Sequence, residues 1–154
     1  MEGVAIRPFE PKDAKAFIGL GKWLQENSNY KECGFSEEKV FLLFVQVIED
    51  PNYFGIVVEK NDEVIGALFG VVQEYYFSDK RFASDLGFGI LPDHRHLAKT
   101  VLPRMMDAFE KWAKDVGAME VTVATSSMAH GDKLLSLFNS IGYKTVGFGV
   151  KKRV

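Results

Sequence analysis

The chain has 154 residues, 47% of them hydrophobic, which predicts one domain over 1–154 that buries about two-thirds of its unfolded surface. A formal charge of -2, with 19 Lys+Arg against 21 Asp+Glu, gives no broad field for nucleic acid or an anionic membrane, so any anion site must be local. The single Cys33 excludes an internal disulfide and a cysteine metal cluster. With no basic-then-apolar leader at the start, the expectation is a cytoplasmic protein, and the longest apolar run, Val40 to Val45, falls far short of the ~20 residues that cross a bilayer.

In chain order, VAIRP from Val4 to Pro8 predicts a short strand. EPKDAKAFIGLGKWL comes next, with Ala14, Phe17, Ile18, Gly21 and Leu24 at helical spacing and Pro11 and Asp13 suited to its first turn. Ser36 can cap a second helix, SEEKVFLLFVQVIED, which stops before Pro51 and is apolar nearly all round, as a buried or partner-facing helix would be. YFGIVVEK and EVIGALFGVVQEYYF then read as a hairpin turning at Asn61 and Asp62, and SDLGFGIL as a fourth strand.

The connection PDHRHLAKTVLPRMM gathers His94, Arg95, His96 and Lys99 ahead of the best periodic segment in the chain. There Leu102, Met105, Met106, Phe109, Trp112, Ala113 and Val116 make one apolar face, closed by Gly117. Pro103 belongs in a first turn, which places the helix start near Thr100. MEVTVA, a short helix DKLLSLFNSI with Asp132 as its natural cap, and a strand from Tyr143 to Val150 complete the order β-α-α-β-β-β-α-β-α-β. Hairpins flanked by helices predict an α+β fold with a mixed, mostly antiparallel sheet.

Three stretches carry a resemblance: IRPFEPKDAKAF at the start, the turn KNDEVIGALFG, and LGFGILPDHRHLAKTVLPRMMDAFEKWAKDVGA read with LLSLFNSIGYKTVG. Over essentially the whole chain they resemble the GCN5-related N-acetyltransferases. The resemblance implies acetyl-coenzyme A as cofactor and transfer of its acetyl group to a primary amine, on a small molecule or a protein, by direct attack in a ternary complex. It also implies backbone contacts from Phe88, Gly89 and Ile90 to the acetyl group and pantetheine. The diphosphate would lie at the helix start on Arg95, His96, Leu97, Ala98, Lys99 and Thr100, where free amides and the helix dipole suit an anion.

The same resemblance marks departures. In the family's R/Q-x-x-G-x-G/A loop the glycine positions hold Ala98 and Thr100, and the tyrosine that protonates the leaving thiolate is replaced by Phe138, which the resemblance still implies as a cofactor contact. Water, Ser136, Ser126, Ser127 and Tyr75 are the candidate proton sources. Asp85, beside Ser84, is the favoured general base, with Glu74 an alternative across the third strand, and His130 stands near the family's asparagine. Gly87 and Gly89 fit either a bulged strand opened to the cofactor or tight packing against a helix.

His94, His96 and His130 are too scattered for a zinc site, and the basic KKR at the C-terminus reads as solvated surface, so neither a metal nor nucleic acid is expected. The acceptor pocket would draw on Trp23, Tyr30, Phe35, Tyr75, Tyr76 and Phe77. Glu26, Glu32, Glu37 and Glu38 are available to a polyamine but suit a wet surface equally. Helix two and strand exchange at the C-terminus are the contact points open to a homodimer. The competing function is a catalytically inactive binding or assembly module of the same fold, in the manner of small phage-encoded members; fold alone does not choose.

Overall fold

The structure is a computed structural model and describes residues 3–125 and 131–154. Its sheet has five strands in the order of the chain: β1 (Val4–Pro8), β2 (Tyr53–Lys60), β3 (Glu63–Glu74), β4 (Arg81–Ile90) and β5 (Ala118–Thr122). The first three pairings are antiparallel and β4–β5 is parallel. Asn61 and Asp62 turn the β2–β3 hairpin with φ of 52° and 65°, the left-handed pair that a two-residue turn requires and that these side chains tolerate.

Helices α1 (Ala14–Glu26) and α2 (Glu37–Glu49) cover one face of the sheet. Their contact is aromatic: Phe17 meets Phe9, Phe44 and Phe69 with ring centroids 5.0–5.4 Å apart. Ser36 caps α2 by accepting the Lys39 amide at 3.3 Å, as its sequence signature predicts. Burial takes only one side of α2; Phe44 and Val47 are buried while Phe41, Leu42 and Ile48 stay exposed.

Helix α3 (Ala98–Asp115) covers the other face, burying Val101, Leu102, Met105, Met106, Phe109 and Ala113 against Ile65, Leu68 and Phe88. The period-3.6 pattern thus becomes the buried face of α3. Helix α4 (Gly131–Ser140) adds Phe138 to this core, edge-on to Phe88 at 5.7 Å. Asp132 is the second residue of α4 and not its cap.

Arg7 ties β1 to the entry of α1. It donates to both oxygens of Asp13 at 2.7 and 3.0 Å and to Glu59 Oε2. Asp13 is 3% exposed, so burial pushes its carboxyl up, but the Arg7 hydrogen bonds and the Glu10 amide overcome that and hold it below the usual carboxylate range.

Two expectations are corrected. The strand expected from Tyr143 to Val150 is absent: Tyr143 is tied to Glu110 at 2.7 Å, but no described strand pairs with residues 144–154, and Val146, Phe148 and Val150 are more than nine-tenths exposed. Gly147 and Gly149 strip side chains from the second half of one face of that stretch, and β5 offers only five residues as a template. The tail runs instead to the α1–α2 loop, where Lys151 donates to the Asn29 carbonyl at 2.9 Å and Arg153 pairs with Glu32. The second correction concerns α3, which begins at Ala98, two residues before Thr100, because residues Pro92–Leu97 form a 3-10 turn that feeds into it. Pro103 is therefore the helix's sixth residue, and the Lys99 carbonyl has no amide donor at that position.

Candidate active site

The site begins where two strands cease to pair. The β4–β5 ladder runs from Arg81↔Ala118 to its last pair, Ser84↔Thr122. At the next residue β4 also bulges: Gly70 faces Asp85 but Phe69 faces Gly87, so Leu86 is the extra residue. Across this gap the Asp85 carboxylate accepts the Ala124 amide at 2.9 Å. Burial pushes the Asp85 carboxyl up to about 6, against the opposing pull of the Ala124 amide and its own backbone amide.

The gap opens into a cleft of about 1400 Å³ between α1, α3, α4 and the β4 edge. Single-ligand pockets are commonly ~300–1,000 Å³, so this one has room for two molecules side by side. Asp85, Phe88, Gly89, Ile90, Arg95, Ala98, Lys99 and Ser136 all line it. Gly89 admits close packing: a Cβ there would lie 2.7 Å from Leu24 of α1, while one at Gly87 would meet the Phe69 ring at the same distance. The strand is thus bulged beside these glycines, and of the two only Gly89 packs against a helix, since Gly87 meets a ring of β3.

The helix start differs from the expected open cradle. The Ala98 amide donates to the Arg95 carbonyl, and Thr100 Oγ1 donates to the Leu97 carbonyl at 2.9 Å. Both donors are thus bonded within the protein where the sequence reading has them available to a phosphate, and His96, Leu97 and Thr100 do not line the cleft. Leu97 packs against the α3 core. What the cleft receives from this segment is side-chain charge, Arg95 and Lys99, with the Arg95 guanidinium 5.7 Å above the Trp23 ring.

Phe138 is also corrected, because at 3% exposure it belongs to the core and not to the cleft wall. Tyr75 hydrogen-bonds Glu120 away from the cleft, and Glu74 pairs in register with Arg81 at that same far end of the sheet. Neither lines the cleft, whereas Ser136 does. Ser126, Ser127 and His130 lie outside the described residues. Sequence reasoning missed Lys133, which lines the cleft with Ser136, Leu137 and Ser140. Their i, i+3, i+4, i+7 spacing marks one helix face and was available as a signal.

Among the described residues no group of three His, Cys, Asp or Glu side chains could hold a metal ion, and no helix is long and apolar enough to cross a membrane.

No protein-family model and no curated protein matches the chain. Solved structures do. An aminoglycoside N-acetyltransferase, AAC(6')-Iy, in complex with CoA superposes with a TM-score of 0.77 at 15% identity, over 98% of this chain and 94% of that one. A GNAT family acetyltransferase from Staphylococcus aureus gives a TM-score of 0.63 at 17% identity over 99% of both chains. An aminoglycoside acetyltransferase from an uncultured soil metagenomic sample, in complex with sisomicin, gives 0.67 at 18% identity over 97% of both.

Proposed function

This chain shares the fold of the GCN5-related N-acetyltransferases, and from that fold and its cleft we propose that it transfers an acetyl group from acetyl-coenzyme A to an amine. The observation that carries the proposal is Asp85 at the parting of β4 and β5, a carboxylate with its pKa raised to about 6 facing a cleft large enough for donor and acceptor together. Solved structures of the fold that contain CoA or a bisubstrate analog joining CoA to an aminoglycoside support the same reading.

The residues present fit the cofactor through charge. Arg95 and Lys99 would hold the diphosphate, and the β4 edge at Phe88, Gly89 and Ile90, unpaired with β5 among the described residues, would hold the pantetheine arm. Bound there, acetyl-coenzyme A supplies the thioester whose acetyl group is transferred. An alkylammonium has a pKa of ~10 and must lose a proton before its nitrogen can attack. At neutral pH Asp85 is ionised and takes that proton, directly or through one water. Ser136 lines the cleft from α4 and would donate its hydroxyl to the leaving sulfur, the task that Phe138 cannot perform.

Phe138 also favours a second reading, a binding module of this fold without turnover. Thiol release from acetyl-coenzyme A over a panel of primary amines separates the two. The transferase reading expects amine-dependent release that collapses in Asp85→Asn; cofactor binding with no release from any amine would support the module.

A further inference from the structure

If the transferase reading holds, and only then, the walls of the cleft also bear on the acceptor. Among the described lining residues Asp85 is the single carboxylate, set against three cations, Arg95, Lys99 and Lys133. The cations match the phosphates of the cofactor. Asp85 is then left to face one ammonium group. The four carboxylates that further amines would need do not line the cleft: Glu37 and Glu38 are exposed in the first turn of α2, and Glu26 and Glu32 line a smaller hollow that adjoins the cleft at Asn27 and Ser28, where Arg153 already pairs with Glu32. A ligand with three or more ammonium groups would enter this cleft with most of its charge unmatched, at a steep desolvation cost.

Apart from Gln25, Asn27, Ser28, Ser136 and Ser140, the rest of the described wall is apolar, and much of it is flat-faced. Trp23, Tyr30 and Phe35 come from α1 and the segment after it, Phe69 from β3, and Leu24 and Leu86 fill between them. Phe69 stands opposite Gly87, one register step from the Gly70↔Asp85 pair, so apolar surface begins beside the carboxylate. Aromatic walls favour a ring, which they contact by stacking or edge-on.

We infer that the acceptor is a monoamine carried on an aromatic or similarly flat apolar body, and not a polycation of the aminoglycoside or polyamine class. Trp23 is its specificity-determining residue: one face of its indole is covered by Arg95, and the ring lines the cleft.

The test compares 2-phenylethylamine and tryptamine with neamine and spermidine as acceptors for the full-length protein, alongside calorimetric titration of acetyl-coenzyme A. The expected result is a kcat/KM at least tenfold higher for the arylalkylamines. Trp23→Ala should raise their KM about tenfold while acetyl-coenzyme A affinity, which feels the change only through the Arg95 guanidinium over that ring, falls less than about threefold, and Trp23→Phe should restore most of both losses. Glu26→Gln should leave the arylalkylamine rates unaltered. If acetyl-coenzyme A binds but neamine or spermidine is the better acceptor, and Glu26→Gln weakens it, the monoamine inference is overturned while the transferase reading stands. If acetyl-coenzyme A does not bind and no amine is acetylated, both are overturned.

Discussion

The Asp85 carboxylate reaches across the end of the β4–β5 ladder to accept the Ala124 amide at 2.9 Å, one residue beyond Ser84 and two beyond Thr122, the last backbone pair. A side chain thus takes over where main-chain pairing stops. It leaves a half-buried carboxylate in the wall of the cleft.

Asp85→Asn keeps an oxygen for the Ala124 amide and removes the base. The expected loss in kcat/KM is about 10²–10⁴-fold. In the wild type kcat/KM should rise with pH through about 6, where Asp85 ionises, and then level; the variant should lack that limb. A pH profile of thiol release checks both.

The same substitution should stabilise the fold at neutral pH. Because the folded-state pKa is raised, the native protein binds more protons than the unfolded chain between about pH 4 and 6, and stability falls as pH rises across that window. Asp85→Asn should therefore gain about 1–2 kcal/mol at pH 8 and nothing at pH 4, measured by urea unfolding.

Arg7→Met strands the buried Asp13 without its bidentate partner and should cost about 3–5 kcal/mol at pH 7. In the wild type Asp13 contributes stability above the ordinary carboxylate range and loses it as pH falls through its depressed pKa. In the variant burial is opposed only by the Glu10 amide and the Lys12 charge, so Asp13 protonates more readily and the deficit should shrink at pH 3.5. Denaturant melts at the two pH values decide it.

Gly70→Ala tests the bulge. The new Cβ would sit 2.7 Å from both the Ser84 carbonyl oxygen and Phe109 Cζ, one fixed by the sheet and the other locked in the α3 core. Overpacking of this kind costs about 1–3 kcal/mol, and here it should also move Asp85, whose register partner is Gly70. A fall in melting temperature accompanied by a raised KM for the amine is the expected pair of readings.

Arg95→Ala and Lys99→Ala should each weaken acetyl-coenzyme A binding on the order of three- to tenfold, with kcat little altered. Both side chains are exposed, so the difference should fade in 0.5 M NaCl, where the screening length is only a few Å. Calorimetric titration at two salt concentrations reads it.

Periodicity reveals most of the architecture because burial tracks it so closely. The α3 face from Leu102 to Ala113 and the Asn61–Asp62 turn sit as their patterns require. The last strand misleads because Val146, Phe148 and Val150 alternate as a strand does, yet a strand is stable only beside a neighbour, and local pattern carries no information about one. The helix start misleads for a related reason: nothing local in PDHRHL announces that its carbonyls will take up the next amides in a 3-10 turn. Within the cleft, Asp85, Arg95, Lys99 and Ser136 are legible from their positions in the motifs. Lys133 escapes notice because the apolar face of its helix is the stronger pattern there.

The transferase reading stands or falls on the cleft beside Asp85 binding acetyl-coenzyme A, although α3 begins without glycines and with the Ala98 amide already bonded. Thermal unfolding of the purified protein across an acetyl-coenzyme A titration measures that binding. A ligand held only by the folded state contributes about 2.7 kcal/mol at a hundred times its Kd, so the melting temperature should climb by several degrees and the rise should be blunted in Arg95→Ala. An unmoved melting temperature at millimolar acetyl-coenzyme A would overturn the reading.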